Sequence, residues 1–244
     1  MDKAIFVDNL TKKFKSGRGI ENISFDVGVG EVFGFLGPNG AGKTTAMKIM
    51  TGLMKPDEGN VYIFGKNVLT EHTQAQSCVG AIIESVAPYP YLTAYENMKM
   101  LSRYHDISNE RIDECFRLTG IEKYKNEKTK GFSLGMKQRL GIAMAIAPRP
   151  KLLILDEPIN GLDVEGMFEM RELIKNMSEN DGTSFLISSH LIHDIAYLYE
   201  DRHTLRRQNA RHGLHREHIA QLCLTRGLLS ERGEYQCIIS KRLL

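Results

Sequence analysis

The fold of this chain is decided by the stretch Gly37-Pro38-Asn39-Gly40-Ala41-Gly42-Lys43-Thr44-Thr45. Its spacing, G-x-x-x-x-G-K-T, is that of a phosphate-binding loop, in which glycines let several backbone N–H groups converge on one triphosphate. The mostly apolar residues 31–36 before it predict a buried strand, and residues 46–50 after it begin a predicted helix that ends near Gly52. This order of strand, loop and helix is the context that the motif requires.

Lys43 and Thr44 bring a positive charge and a metal ligand to this loop. The Lys43 ammonium is expected to neutralise the β- and γ-phosphates of ATP or GTP, and the Thr44 hydroxyl to bind Mg²⁺. The N-terminus of the following helix adds partial positive charge. The alternative is a glycine-rich turn that binds nothing, which the flanking strand and helix disfavour. The loop therefore predicts nucleotide binding.

Two acidic residues, Asp156 and Glu157, follow the apolar run Leu152–Leu155. Ligands bind at the carboxyl ends of parallel strands, so these carboxylates are expected where a nucleotide would lie. Asp156 is expected to hold Mg²⁺, directly or through water, and Glu157 to polarise the water that attacks the γ-phosphate. The alternative is a pair of helix-capping acids before Pro158.

Strands and helices alternate around the phosphate loop, which predicts an α/β fold with a mainly parallel sheet. Segments 4–10, 20–27 and 59–65 predict strands that form a β-rich layer on the nucleotide-binding core. The pattern is helical from about Thr93 to Thr119. Its apolar face consists of Tyr95, Met98, Leu101 and Tyr104. The remaining predicted elements are a helix after Ser133, a strand at 151–155, a helix at 164–180 and a strand at 184–188.

Length and composition are ordinary for a soluble globular protein. The chain has 244 residues, 42% hydrophobic and 25% charged, which is enough for one large or two small domains. No C-x-x-C pair is present, so we expect neither disulfides nor a zinc site, and a reducing cytosol fits. No signal peptide and no apolar run near the roughly 18 residues of a membrane span are found, so a membrane role is expected to require a partner chain. The four cysteines are Cys78, Cys115, Cys223 and Cys237.

Taken together, these segments resemble the ATP-binding subunit of ABC transporters. The phosphate loop is similar to the Walker A motif of that family, and residues 152–157 are similar to its Walker B motif with the catalytic glutamate. Residues 133–139, S-L-G-M-K-Q-R, look like a variant of the family signature L-S-G-G-Q-x-Q-R; alone, Ser133 would predict only an ordinary helix N-cap. Residues 160–163 resemble the D-loop, and His190 resembles the switch histidine, although a surface histidine is the local alternative.

The resemblance implies an ABC ATPase fold, with a P-loop core, an N-terminal antiparallel β layer and a helical subdomain at about 85–147 inside an ATP-binding domain of residues 1–201. Two subunits, identical or different, would enclose ATP and Mg²⁺ between them. Ser133 and Gly135 of one subunit would face the phosphate loop, Asp156 and Glu157 of the other. His190 would contact the γ-phosphate, and the Phe14 ring would stack on adenine.

The same resemblance implies a function and a location. Such a subunit hydrolyses ATP to power a membrane permease, and it works at the cytoplasmic face of the bacterial cell membrane without a nucleic-acid partner. Residues 86–91, V-A-P-Y-P-Y, are a candidate permease contact, with an ordinary surface loop as the alternative.

Glu84 departs from the family pattern, because a glutamine is usual at this position. A carboxylate there can still reach Mg²⁺ or water, but it also repels phosphate. Together with the variant signature and the segment 92–98, L-T-A-Y-E-N-M, it resembles the subgroup that serves bacitracin export and lantibiotic immunity. We therefore expect export of peptide antibiotics or resistance to them, and Glu84 is expected to couple hydrolysis to the permease as a catalytic and metal-binding residue.

The resemblance stops at Asp201. Residues 1–200 contain 23 Lys and Arg against 26 Asp and Glu, whereas residues 201–244 contain 9 against 4. The start of this basic tail, 202–211, predicts no buried strand. A reading-frame change near codon 202 and a divergent or disordered tail are both open. His212, His215 and His218 form H-x-x-H-x-x-H, for which chance is a better explanation than a metal site.

Three other functions are weighed against a transport ATPase. A soluble ABC ATPase that acts on DNA or ribosomes usually carries paired cassettes, coiled coils or zinc insertions, which this sequence lacks. A P-loop kinase would place the loop nearer its N-terminus and need no signature. A damaged or regulatory subunit with little turnover is supported by the tail alone.

Overall fold

The computed structural model describes residues 2–190 and 237–241. Their strands and helices follow the alternation that the sequence predicts, with α1 beginning at the phosphate loop itself. The elements are β1 (Lys3–Lys13), β2 (Gly19–Gly28), β3 (Val32–Leu36), α1 (Lys43–Met50), β4 (Glu58–Ile63), β5 (Lys66–Asn67), α2 (His72–Gln76), β6 (Val79–Ile82), α3 (Ala94–Leu101), α4 (Asn109–Leu118), α5 (Leu134–Ile146), β7 (Leu152–Leu155), α6 (Val164–Asp181), β8 (Ser184–Ser189) and β9 (Cys237–Lys241), with short 3₁₀ turns at Glu122–Tyr124 and Thr129–Gly131.

The central sheet has the strand order β6-β7-β8-β3-β9 and is parallel except for β9. Every residue of β3, β7 and β8 is buried, as expected for parallel strands that are covered on both faces. Leu155 of β7 pairs with Ile82 of β6 and with Ile187 of β8, and Leu36 of β3 pairs with Ser189. The carboxyl ends of four strands therefore lie side by side, and the functional residues follow those ends.

A second, antiparallel sheet confirms the predicted β-rich layer, with the order β2-β1-β4-β5. It packs on the central sheet through aromatic and aliphatic side chains: the Phe25 ring stacks on Phe33 with centroids 5.2 Å apart. Met47 and Met50 of α1 belong to the same buried cluster. This layer holds α1, and with it the phosphate loop, against the central sheet.

The helical segment predicted from about Thr93 to Thr119 is two helices, α3 and α4, rather than one. Ser108 begins the second, because its hydroxyl accepts a hydrogen bond from the Arg111 N–H at 3.3 Å. The break turns Tyr104 away from the core, and the prediction that Tyr104 lies on the buried face is wrong: it is 84% exposed. Met98 is fully buried as predicted, and Tyr95 and Leu101 pack against the core.

Helix α5 is clamped against β6 at its carboxyl-terminal end. A side chain at Gly80 would run into the carbonyl oxygen of Ala145 and would approach Leu153 Cδ2 to 2.8 Å. Only glycine lets the helix backbone come this close to the strand. The opposite end of α5, at Ser133, is the end that carries the signature-like segment.

The tail contributes β9, which pairs antiparallel with β3 from Cys237 opposite Leu36 to Lys241 opposite Val32. The sequence analysis did not predict this strand, although Ile238 and Ile239 favour a β conformation. The interpretations of residues 202–236, including the histidine motif, lie outside the described residues. Within the described ranges, no helix is both long and apolar enough to cross a bilayer.

Candidate functional site

The phosphate loop connects β3 to α1, and α1 begins at Lys43, three residues earlier than predicted. Gly42 has φ of +86°, and a side chain there would collide with Ile20 and lie 3.0 Å from the carbonyl oxygen of Gly19. The Lys43 ammonium donates to the carbonyl oxygens of Gly37 at 2.7 Å and Pro38 at 3.3 Å. Its side chain is only 8% exposed, so a nearly buried cation lies within the loop.

Asp156, directly after β7, is held by two hydroxyl groups. Thr44 Oγ1 donates to Asp156 Oδ2 at 2.7 Å, and Ser188 Oγ donates to Asp156 Oδ1 at 2.5 Å. Asp156 is 4% exposed, and a carboxylate buried this deeply needs hydrogen-bond donors to offset its lost hydration. The first turn of α1 is thereby tied to the ends of β7 and β8.

Thr44 and Asp156 fit a magnesium ion. Mg²⁺ prefers hydroxyl, carboxylate, water and phosphate oxygens, and it is usually bound by one or two protein groups plus substrate phosphates. The 2.7 Å separation of Thr44 Oγ1 and Asp156 Oδ2 brings one oxygen of each kind together beside the loop. No cluster of three or more His, Cys, Asp or Glu side chains suited to a metal occurs in the described ranges, so an all-protein cage is absent from them.

Glu157 is oriented by its neighbours on β8 and in the phosphate loop. Its N–H donates to Ser188 Oγ at 2.9 Å, and its backbone has φ of +50°, an uncommon conformation for a residue other than glycine. His190 Nδ1 lies 2.8 Å from Glu157 Oε2, and Lys43 Nζ lies 3.7 Å from Glu157 Oε1. A carboxylate between a histidine and a lysine can accept a proton from water next to a bound phosphate.

Ser133 and Gly135 lie elsewhere, at the N-terminus of α5. The Ser133 hydroxyl accepts a hydrogen bond from the Met136 N–H at 3.2 Å, so the predicted N-cap is present. Leu134 lies against Gly161 yet is 64% exposed. Ser133 and Gly135 line an open cleft of about 500 Å³ together with Gly161 and Asp163. Residues 37–45 do not line this cleft in the described part of the chain.

Glu84 and Phe14 lie at the edge of the phosphate-loop region. Glu84 Oε1 lies 2.6 Å from Lys48 Nζ on α1, and in the described ranges its carboxylate contacts neither Thr44 nor Asp156. Phe14 lies in the turn from β1 to β2 and is 38% exposed. The start of β2 contacts Gly42, so this turn leads directly to the loop.

Comparison with known proteins decides the family. The family model described as "ABC transporter" matches residues 20–160, more than half of the chain. The chain belongs to the ABC transporter family. A bacitracin transport ATP-binding protein of Enterococcus faecalis, BcrA, is 43% identical over 80% of the chain. A lantibiotic transport ATP-binding protein of Streptococcus pyogenes, SrtF, is 38% identical over 79% of the chain and 82% of its own length.

Some relatives of this ABC protein extend well beyond the segment that matches it. An uncharacterized ABC transporter ATP-binding protein of Bacillus subtilis (strain 168), YdbJ, is 47% identical over 78% of the chain but over only 62% of its own length. For BcrA of E. faecalis the matched share is 64%. The chain therefore spans less than two thirds of these relatives.

Solved structures agree with the ABC ATPase fold. A dimeric ATP-binding cassette in a post-hydrolysis state, bound to ADP and Pi, gives a TM-score of 0.73 at 29% identity, over 79% of this chain and 90% of that chain. The cbiO1 protein of Clostridium perfringens, part of the complex cbiONQ, gives a TM-score of 0.71 over 91% of this chain and all of its own. At 24% identity it supports the fold alone.

Sequence reasoning missed two residues of this ABC site. Ser188 joins Asp156 to Glu157, and Lys48 holds Glu84. A polar residue at the buried carboxyl end of an apolar strand is a signal that could have identified Ser188. Lys48 lies one helical turn after Thr44, and the i, i+4 spacing could have placed it on the same face of α1.

Proposed function

We propose that this chain binds and hydrolyses ATP, with Mg²⁺, as the energy-supplying subunit of a membrane ABC transporter. The observation that carries the proposal is the contact of Glu157 with both His190 and Lys43. This contact supports Glu157 as a general base next to Lys43, the cation that would bind the γ-phosphate. The adjacent Thr44–Asp156 pair supports a metal site at the same phosphates.

The residues of this chain divide the chemistry among them. The loop N–H groups and Lys43 bind the β- and γ-phosphates and stabilise the charge that develops on them. Thr44 and Asp156 hold Mg²⁺, which when bound offsets phosphate charge. Glu157 orients the attacking water and takes its proton, and His190 keeps the Glu157 carboxylate turned towards that water. The Phe14 ring stacks on the adenine base.

A second ATP-binding subunit completes the site. Ser133 and Gly135 begin α5, and the N-terminus of a 13-residue helix offers free N–H groups and partial positive charge to a phosphate. Their cleft is open and lies apart from residues 37–45 within one chain. The solved cassettes described as dimeric support the same arrangement.

The partner that uses the energy is a membrane permease, which places this subunit at the cytoplasmic face of a bacterial membrane. Residues 86–91 are the proposed contact: Tyr89 and Tyr91 are 61% and 76% exposed. Buried Asn97 fixes the backbone beneath them, because its Oδ1 accepts from the Tyr89 N–H at 2.8 Å. The names of BcrA and SrtF support peptide antibiotics as the transported class, with antibiotic resistance as the outcome.

Steady-state ATP hydrolysis by the purified full chain tests the proposal. Glu157→Gln is expected to lower kcat by at least about 100-fold, because the general base is lost, while ATP binding persists. The specific activity of the unchanged chain should fall on dilution, because a monomer holds only half of each site. Activity that is insensitive to Glu157→Gln, or fully independent of dilution, would contradict the proposal.

A regulatory subunit with little turnover is the competing outcome of the same experiment. It predicts ATP binding to the unchanged chain with hydrolysis no faster than in Glu157→Gln. Transport itself is tested by co-expression with a candidate membrane permease. Resistance to bacitracin or a lantibiotic that is lost with Glu157→Gln is the expected result.

A further inference from the structure

We propose that Lys48 is a positioning residue for Glu84: it holds the carboxylate at the edge of the ATP site and neutralises its charge as phosphate binds. The inference rests on the proposed function, since it concerns the same site. It assigns a role to a residue outside the recognised motifs. It also explains how a carboxylate can occupy a position beside bound phosphate.

The first observation is the ion pair itself. Lys48 Nζ lies 2.6 Å from Glu84 Oε1, which is the distance of a direct, charge-assisted hydrogen bond. The Lys48 side chain is 27% exposed and the Glu84 side chain 60% exposed. The lysine is therefore the better-packed partner, and the Glu84 carboxylate is the more exposed one.

The second observation is the place of this pair in the site. Lys48 follows Thr44 by four residues, so both project from the same face of α1. On the sheet, Asp156 N–H donates to the carbonyl oxygen of Ile82 at 2.8 Å, and Glu84 follows Ile82 by two residues. The Lys48–Glu84 pair is thus a second contact between α1 and the strand ends of the central sheet, one helical turn after the Thr44–Asp156 contact.

The third observation is the backbone of Glu84, which has φ of +65°. A residue other than glycine is strained in this left-handed region, and the strain persists only where the surroundings impose it. Val86, two residues later, packs against Gly141 of α5. Glu84 is therefore fixed between a side-chain contact to α1 and a packing contact to α5.

The charge of the pair has a direct consequence for ATP binding. A free carboxylate near the β- and γ-phosphates raises the free energy of the bound state by like-charge repulsion. Paired with Lys48, Glu84 contributes no net charge. Removal of the ammonium should therefore weaken ATP binding in two ways. The attraction of Lys48 itself for phosphate is lost whatever the charge of Glu84, and the Glu84 carboxylate is left unheld and unpaired. Only the second contribution should vanish when Glu84 is made neutral.

A double-mutant cycle on the full chain tests this. Lys48→Met is expected to raise the KM and Kd for ATP by roughly two- to fivefold, the range of a partly exposed ion pair, with a smaller change in kcat. Lys48→Met should raise both constants less in the Glu84→Gln background than in the wild type. Lys48→Arg, which keeps the charge, should preserve wild-type binding.

The Lys66–Glu71 pair is the matched control. The Lys66 and Glu71 atoms are 3.0 Å apart and both side chains are partly exposed, but this pair lies at β5 and the start of α2, away from the phosphate loop. Lys66→Met should leave the KM for ATP unchanged. Equal effects of Lys48→Met with and without Glu84→Gln would overturn the inference while ATP hydrolysis stands. A wild-type chain that neither binds nor hydrolyses ATP would instead overturn the proposed function.

Discussion

The two halves of the proposed ATP site are built in opposite ways. At the ends of β7 and β8, Asp156 is 4% exposed and Ser188 is fully buried, and hydrogen bonds connect them to Thr44 and Glu157. At the N-terminus of α5, Leu134 is 64% exposed and the adjoining cleft is open. One half is fixed by its own chain, and the other presents a helix end to solvent.

This difference separates stability from activity. A substitution in the buried half removes hydrogen bonds that stabilise the folded chain, so it should reduce stability and hydrolysis together. A substitution at the α5 end removes little that the single chain needs. Its effect should appear in hydrolysis by the proposed dimer, in which this end would contact the nucleotide bound to the other subunit.

The largest effect is expected from mixing two inactive variants. Lys43→Met removes the phosphate-binding cation, and Ser133→Asp keeps a capping side chain but repels phosphate. Each alone should be inactive, yet a 1:1 mixture forms dimers that retain one intact site and should recover about a quarter of the wild-type rate. ATPase measured against mixing ratio checks this, and Ser133→Asn is the neutral control. If no activity is recovered on mixing, the proposal that each ATP site is formed by residues of two subunits is contradicted.

Ser188→Ala should produce the next largest effect. The Asp156 carboxylate would lose a buried donor, which costs about 2 kcal/mol of unfolding free energy, and Glu157 would lose its backbone contact. Chemical denaturation and ATPase should both show the change. Ser178→Ala is the matched control: its hydroxyl donates to the Gly30 carbonyl at 2.8 Å away from the site, so only about 1 kcal/mol of stability should be lost.

Two N-caps sharpen the comparison further. Ser133→Ala and Thr93→Ala each remove one capping hydroxyl, from α5 and α3, and each should cost about 1 kcal/mol of stability. Thermal unfolding should therefore not distinguish them. ATPase activity should distinguish them, because in the proposed dimer Ser133 would face the phosphate bound to the partner subunit and Thr93 would not. Equal activities would mean that the α5 end has a structural role only.

The smallest expected effect is on the pH dependence of stability, through Glu96. The Thr93 N–H donates to the Glu96 carboxylate at 2.7 Å, and this hydrogen bond holds the pKa of Glu96 below its usual 4.5. A lowered pKa stabilises the fold above the unfolded value and loses that contribution as pH falls through the folded one. The stability difference between wild type and Glu96→Gln should therefore shrink as the pH is lowered below 4.5, whereas a difference independent of pH would argue against this cap.

Much of the fold could be predicted from the sequence because the deciding signals are local. The glycine spacing before Lys43 and the apolar run before Asp156 fix a loop and a strand end, and both lie where expected. The interruption between helices α3 and α4 depends on the Ser108 cap. The apolar spacing continues across this interruption in the sequence, so the spacing alone predicted a single helix. Tyr104 was consequently assigned to the core and is exposed.

Contacts between distant segments are what the sequence could not supply. Ser188 and Asp156 are 32 residues apart and meet only because β7 and β8 are neighbours in register. Lys48 of α1 and Glu84, which follows β6, are 36 residues apart and meet only in the folded chain. The strand β9 depends on pairing with β3 across about 200 residues, and its short apolar run gave too weak a local signal.

Helix α5 packs closely on β6 at its carboxyl-terminal end, so a tilt of the helix would displace its N-terminus most. Gly80 lets the Ala145 backbone touch the strand, so any tilt of the helix would turn about this end. Ser133 lies twelve residues away, about 18 Å along the helix axis at 1.5 Å per residue. A tilt of roughly 10° about the carboxyl-terminal end would carry the Ser133 hydroxyl through about 3 Å, the length of one hydrogen bond. In the proposed dimer, a small rocking of this helix would therefore be enough to engage or release a phosphate held by the opposing subunit.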